Sequence, residues 1–265
     1  MRIRQVKKIK VDKYSILSTI YSILILPHRT MKIATVSESA FQILKAKIIT
    51  GEIRPGIKLD ESRVSEWLDI SRPPIREAFR RLESEHMVYT IPRKGAFVSD
   101  ISVEDFIELY QVRCMAELCA VEILEEKDIR EFVGLEAALE DVEEYSIPPD
   151  ATPAQELNLV VKIQDFHVMI VEAAGNKRLS SFYETINSNV CRYTYIYRSV
   201  SDTVKTWTIE HRQIAAFLKE GNFGEAKKLI TVHINAYRKE SFLRLLEDEI
   251  IRRREGPETK IDDAI

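Results

Sequence analysis

Glycine and proline are scarce, at eight and nine in 265 residues. A β-sandwich or barrel needs more turn residues than that, so the shortage points to helices. Cysteine is scarcer still. Cys114, Cys119 and Cys191 form no CxxC pair, which removes the usual spacing of a zinc ribbon or redox dithiol. Three unpaired thiols fit a reducing compartment, the cytoplasm. No HExxH helix, glycine-rich phosphate loop or GxSxG elbow occurs. Positive charge is not in excess either: 39 Lys and Arg against 42 Asp and Glu leave a net −3. Any grip on nucleic acid must therefore come from local clustering. What is present is a globular mixture, 45% hydrophobic and 31% charged, long enough for one large domain or two ordinary ones.

The first 30 residues differ from the rest. A basic "MRIRQVKKIKVDK" precedes an apolar "YSILSTIYSILILPH". That resembles a signal peptide or a short anchor, but the run is too short to span a bilayer and no small-residue cleavage site follows. Met31 opens an ordinary protein start, so residues 1–30 are expected to lie outside the fold, upstream of the working start.

Between residues 37 and 100 the pattern reads helix, helix, helix, hairpin. Phe41, Leu44, Ile48 and Ile49 recur at helical spacing; Ser37 or Ser39 can cap the start, Gly51 stops the helix and Pro55-Gly56 turns the chain. "DESRVSEWLDI" makes a short second helix with Val64, Trp67 and Leu68 inward. A third runs from Ser71 to about Glu85, and a β-hairpin follows with its tip at Arg93-Lys94-Gly95. Beyond Ser102 the chain is helical almost throughout, with segments near 103–126, 128–144, 153–174, 177–200, 203–220 and 223–251. The fold class is thus mainly α: a winged helix-turn-helix over 31–101, an antiparallel helical bundle over 102–251 and a tail over 252–265.

The third helix carries the chemistry. Ser71 suits an N-cap, and Pro73 and Pro74 fall in the first turn, where a missing N–H costs little. Ile75, Ala78, Phe79 and Leu82 make the buried stripe. At about 100° per residue, Arg72, Arg76 and Arg80 share an adjoining stripe, with Arg81 on the far side. Arginines beside a buried stripe can enter a major groove and meet guanine edges or phosphates. Ser71, Arg63 on the preceding helix, and Lys94 with Gly95 at the hairpin tip complete the candidate DNA contacts. The competing reading is a solvated face, with Glu77, Glu83 and Glu85 offsetting the arginines.

"IITGEIRPGIKLDESRVSEWLDISRPPIREAFRRLESEHMVYTIPRKGAFVSDIS" resembles the winged helix-turn-helix of the GntR family of bacterial transcriptional regulators. The likeness covers Gly51, Pro55-Gly56, Leu59, Ser71-Arg72, Pro74, Arg76-Glu77-Ala78, Arg81-Leu82-Glu83 and Gly95. It implies that Arg72 and Arg76 touch an operator and that Gly95 approaches DNA closely. Two positions depart: Asp69 and His86 stand where the family commonly has glycine. Both fall just past helix ends, where left-handed backbone is expected, and Asp and His tolerate it better than most residues.

The helical half places His167, His211 and His233 on three different segments. A lone histidine on an amphipathic helix is most often a packed or surface residue; three on separate helices can converge on a cation of zinc or nickel type. "DFIELYQVRCMAELCAVEIL", "FHVMIVEAAGNKRL" and "EHRQIAAFLKEGNFGEAKKLITVHI" resemble the FCD effector-binding domain of the FadR subfamily. The resemblance implies a helical bundle in which those three histidines, with an aspartate, hold a divalent metal beside a small organic acid. The aspartate position is Ile163 here. Asp165 lies about 200° from His167 around the helix, and Gln164 is nearer the right face but neutral. A metal would then have three imidazoles and open positions; the alternative is a metal-free pocket where the histidines meet an anionic effector directly. Arg113 and Arg192 are the candidate effector-carboxylate partners, since a guanidinium forks onto a carboxylate; a salt bridge to glutamate is the alternative for each. Tyr193, Tyr195 and Tyr197 cannot share one helical face.

These readings make the protein a cytoplasmic, homodimeric DNA-binding regulator on a palindromic operator, controlled by a small carboxylate, and not an enzyme. A three-histidine metal hydrolase is the alternative, lacking a motif for its general base. A membrane-tethered helical adaptor would rest on residues 1–30 alone and leaves the arginine helix unexplained.

Overall fold

A computed structural model describes residues 35–145, 148, 150–198 and 204–255; the expectations for 1–30, and for the tail beyond Glu255, lie outside them. Helix α1 spans Val36–Thr50. Its cap is neither Ser37 nor Ser39 but Thr35, whose hydroxyl accepts the Glu38 N–H, because the helix begins one turn earlier than the apolar pattern suggests. Gly51, at φ 80°, ends it. Strand β1 (Lys58–Leu59) precedes α2 (Glu61–Leu68) and α3 (Arg72–Ser84). Val64 is buried on α2, whereas Trp67 and Leu68 are only half-buried at the rim. Asp69 (φ 53°) and His86 (φ 56°) adopt the left-handed backbone expected past the two helix ends.

Strands β2 (Val88–Ile91) and β3 (Gly95–Val98) form the hairpin. It is not alone: β1 adds to β3, giving a three-stranded antiparallel sheet in the order β1-β3-β2, with Lys58 opposite Phe97 and Tyr89 opposite Phe97 on the other side. A two-residue strand leaves no alternation to read in sequence.

The helical part comprises α4 (Val103–Glu126), α5 (Leu135–Glu143), α6 (Pro153–Ala173), α7 (Lys177–Arg198), α8 (Val204–Glu220), α9 (Phe223–Ile234), a 3-10 turn (Asn235–Arg238) and α10 (Glu240–Glu255). Two expected helices are corrected. The segment expected over 128–144 starts only at Leu135, because Asp128 (φ 51°) and Gly134 (φ 82°) hold left-handed backbone. The segment expected over 223–251 is broken: the Asn235 amide donates to the Thr231 carbonyl at 2.8 Å, competing with the helical ladder, and the chain restarts after extended Lys239. The last helix also runs through Arg252 to Glu255, past the expected end of the bundle.

Helix α7 is buried nearly all round along its second half, since it lies between both parts of the molecule. The three tyrosines diverge accordingly. The Tyr193 hydroxyl donates to Asp105 (2.7 Å) beside the linker, Tyr195 packs into the core of the first part while its hydroxyl donates to Glu156 (2.8 Å), and Tyr197 meets Tyr110 (3.2 Å) inside the bundle. That first core, built on Phe41, Leu44, Ile75 and Leu82, also takes in Leu157 and Val160 of α6 and Cys191 of α7. The two parts therefore share buried apolar surface, which the boundary expected near residue 100 does not convey.

Candidate nucleic-acid interface and metal centre

On α3 the apolar stripe Ile75, Ala78, Phe79 and Leu82 is buried and packs on α1, leaving Arg72, Arg76 and Arg80 outward and exposed. Arg81 turns the other way, its guanidinium 3.9 Å from the Phe41 ring centroid and paired with Glu38. Ser71 occupies the N-cap position, but its side chain makes no cap bond, so the exposed hydroxyl is open. Arg63 on α2 and Lys94 at the wing tip are exposed too, and Gly95 is half-buried.

Gly95 (φ 109°) sits where a side chain would crowd: an added Cβ would lie 3.1 Å from the Lys58 side chain. Lys58, exposed, is thus a further wing cation absent from the sequence-based set, beside the exposed Arg93 (φ 65°) of the expected tip. The β1–β3 register that brings Lys58 there has no local signature. Glu61, another residue not anticipated, faces Arg76 across the α2–α3 turn: Arg76 Nε and Nη2 donate to its carboxylate at 3.1 and 2.9 Å.

In the bundle, His167 of α6, His211 of α8 and His233 of α9 come together. His167 Nε2 lies 3.0 Å from His211 Nε2, which lies 3.1 Å from His233 Nε2, and one nitrogen from each ring falls within 4.8 Å of the others. Two carboxylates support the outer rings. Glu117 of α4, fully buried, meets His167 Nδ1 at 2.7 Å, and Glu210 meets His233 Nδ1 at 2.6 Å. Neither glutamate was singled out in the sequence, although Arg113 and Glu117 form an i, i+4 pair on one buried face.

Glu117 is the hub. Its Oε1 accepts from Arg113 Nε and from the Tyr183 hydroxyl, each at 2.8 Å. Burial favours its neutral acid, but His167 and the Arg113 guanidinium outweigh that and hold the carboxyl well below its usual range. His167 itself is pushed down to about 4, chiefly by burial and despite Glu117, and burial also holds His211 well below an ordinary imidazole. Both rings are neutral near pH 7.

The tautomers follow from these bonds. His167 is neutral and places its N–H on Glu117, so it presents a bare Nε2 lone pair; His233 places an N–H on Glu210. His211 Nε2 contacts both, and one N–H can satisfy only one of them. A single cation would satisfy all three. Imidazoles about 2.0–2.1 Å from a tetrahedral zinc stand roughly 3.3 Å apart; the His167–His211 and His211–His233 separations of 3.0 and 3.1 Å come close, while the set as a whole extends to 4.8 Å, so the outer rings would draw together around an ion. Carboxylates behind the ligating rings are the usual support of such sites. The donor set therefore fits a zinc- or nickel-type ion. The fourth expected position does not contribute: Ile163 is buried with Val142 and Leu159. Asp165 is not in the cluster, and burial raises its carboxyl to about 7. Gln164 donates to Thr194 at 3.0 Å, with its Oε1 buried and unpartnered.

The two arginines expected to meet a carboxylate lie on different helices, Arg113 on α4 and Arg192 on α7. Arg113 reaches the histidine cluster through Glu117 and keeps one buried nitrogen, Nη2, without a partner. Arg192, expected to share that role, is equally buried, on α7 near the linker, and its Nη2 likewise has no partner. Burial lowers it to about 10, against the opposing pull of Tyr193, Asp105 and Asp100. On α7 it projects toward the linker and α10, a direction set by helix rotation that the sequence alone does not reveal.

Residues 36–98 match the family model described as bacterial regulatory proteins, gntR family, and residues 108–236 match the FCD domain. The HTH-type transcriptional regulator YdhC of Bacillus subtilis is 30% identical over 198 residues, covering 72% of this chain and 84% of that protein. The Uxu operon transcriptional regulator of Escherichia coli is 26% identical, covering 77% and 87%. Among solved structures, E. coli McbR/YncC superimposes with a TM-score of 0.63 at 18% identity, covering 82% of this chain and 99% of that one. A Rhodococcus GntR regulator gives 0.61 at 21%, covering 79% and 97%. At those identities the superpositions show the fold alone. No helix among the described residues is long and apolar enough to cross a membrane.

Proposed function

This chain is a DNA-binding transcriptional regulator of the GntR family with an FCD effector-binding domain, not an enzyme, and from that premise we propose that two copies bind a palindromic operator in the bacterial cytoplasm under control of a small carboxylate. The exposed stripe of Arg72, Arg76 and Arg80 carries the DNA half of the reading. Arg63 and the open Ser71 hydroxyl flank it, and Lys94, Gly95 and Lys58 form the wing that follows the backbone. Two such helices on a dimer read half-sites one helical turn or a multiple apart. Arg76→Ala is expected to weaken operator binding in a mobility shift by about 1–3 kcal/mol, with the thermal transition unchanged; unchanged binding would overturn the assignment of α3.

The convergence of three Nε2 atoms carries the effector half. His167, His211 and His233 would hold a divalent metal, oriented by Glu117 and Glu210, and the metal would supply a Lewis-acidic anchor for a carboxylate. Arg113, with its free Nη2, would take the anion's other oxygen or a second carboxylate. Elemental analysis of natively purified protein should find about one zinc- or nickel-type ion per chain, and His211→Ala should remove it; a metal-free native protein would favour direct binding of the anion by the histidines.

Helix α7 supports a route between the halves. Tyr183 on it bonds Glu117 in the effector site. One turn further on, Ser188 donates to the Glu85 carboxylate and Asn189 donates to the Glu85 carbonyl at 2.8 Å, so α7 grips the C-terminal end of the DNA-reading helix. A ligand that moves Glu117 or Tyr183 acts on the same rod that holds α3.

A further inference from the structure

Helix α2 begins with two acids, Asp60 and Glu61, beside the exposed cations Arg63, Arg72 and Arg80. Asp60 is explained by capping: its carboxylate accepts the Ser62 and Arg63 N–H groups. Glu61, at the first helical position, suits the positive end of the helix but accepts no capping bond. Its carboxylate instead receives Arg76 side-on, through Nε at 3.1 Å and Nη2 at 2.9 Å, with Arg72 the other cation in its field. The pair is exposed, 55% for Arg76 and 35% for Glu61. An exposed pair contributes little stability, and a carboxylate on a DNA-facing surface repels phosphate. Both considerations argue against a purely structural strut.

A guanidinium has two edges for bidentate bonding. The side edge, Nε with Nη2, is taken by Glu61. The end edge, Nη1 with Nη2, stays open, and that edge matches the O6 and N7 acceptors of guanine in the major groove. A pinned guanidinium has already lost the rotamer freedom that binding would remove. Its charge is also matched, so it attracts phosphate indiscriminately less than a free arginine does.

We propose that Glu61 is a positioning residue for sequence reading: it holds Arg76 with one edge toward a guanine and restrains it from serving as a general phosphate clamp. The proposal rests on the reading of Arg76 as a DNA-contacting residue.

The test uses the full chain, a duplex selected by the wild-type protein from a random library, and a scrambled duplex of equal length. Glu61→Gln keeps the shape and removes the charge. It should bind the scrambled duplex more tightly, with log K falling more steeply against log salt by about 0.9, one extra phosphate contact. Discrimination between the two duplexes should drop about tenfold, the scale of one bidentate base contact. Reselection with the variant should relax the preference at one guanine per half-site. If discrimination and salt slope match wild type, or both duplexes lose affinity in parallel with a lowered melting temperature, Glu61 is only a strut and the proposal fails. Arg76→Ala separates the two levels. If it leaves selected-duplex binding intact, the underlying reading fails; if it abolishes that binding while Glu61→Gln keeps full discrimination, only the role of Glu61 fails.

Discussion

The two halves of this regulator handle arginine in opposite ways. In the winged helix the guanidiniums of Arg72, Arg76 and Arg80 stand in solvent on the flank of one amphipathic helix. In the bundle Arg113 and Arg192 are each 2% exposed. An exposed arginine costs the fold almost nothing and is available to a polyanion. A buried one is costly and calls for compensation: Glu117 pairs directly with Arg113, while Arg192 has the field of Tyr193, Asp105 and Asp100. The surface set is a property of a single helix. The interior set depends on four helices meeting correctly, so a fault there must show first in stability and only then in function.

That contrast can be broken most severely at Glu117. Glu117→Ala leaves Arg113 and His167 buried without their carboxylate, and should lower unfolding stability by about 3–5 kcal/mol, measured by urea titration. Arg80→Ala should stay within about 0.5 kcal/mol of wild type. If the two substitutions cost the same, the division between solvated and interior arginines is wrong.

Acid sharpens the comparison next. The folded state keeps His167 neutral down to about pH 4, whereas an unfolded imidazole takes its proton near 6.5. Between those values the unfolded chain binds more protons, so this group's contribution is fully present above pH 6.5 and is lost as pH falls toward 4, at up to about 1.4 kcal/mol per unit. Denaturation of the metal-free protein across that window should show the slope, and His167→Asn should reduce it. The exposed arginines of α3 do not titrate there, so Arg80→Ala should leave it unchanged.

The smallest effect concerns the joint. Asn189→Ala removes the amide that holds the Glu85 carbonyl and should lower stability by about 1 kcal/mol. Operator binding of the effector-free protein should change little. The shift that effector produces in that binding should shrink by about 0.5–2 kcal/mol, read from paired titrations with and without ligand. An unaltered shift would mean that coupling runs elsewhere.

Much of the first half was legible because its signals are local. The Ile75–Leu82 stripe, the Pro73-Pro74 start, Gly51 and the Gly95 turn each act within a few residues. What escaped there was non-local pairing: Lys58 beside the wing and Glu61 against Arg76, contacts between segments 15 or more residues apart. In the second half helix identity was readable, except where Asp128 and Gly134 delay α5 and Asn235 breaks the long final segment. The three histidines stand out as a set that could converge, but their gaps of 44 and 22 residues carry no periodicity, and only the family likeness ties them to one metal site. Glu117 looked like one glutamate among many. That Asp100 and Asp105 are the acids acting on Arg192 depends on the rotation of α7, which no local pattern gives.

By itself, then, the amino-acid order determined where helices form, which of their faces avoid water, and that cations cluster on one short helix, because those outcomes depend on periodicity, capping and charge within a turn or two. Tertiary structure alone decided which nitrogens converge, which carboxylate stands behind each imidazole and which arginine is buried against which partner. Such contacts depend on helix rotation and crossing, where a shift of one residue, about 100°, sends a side chain to a different neighbour.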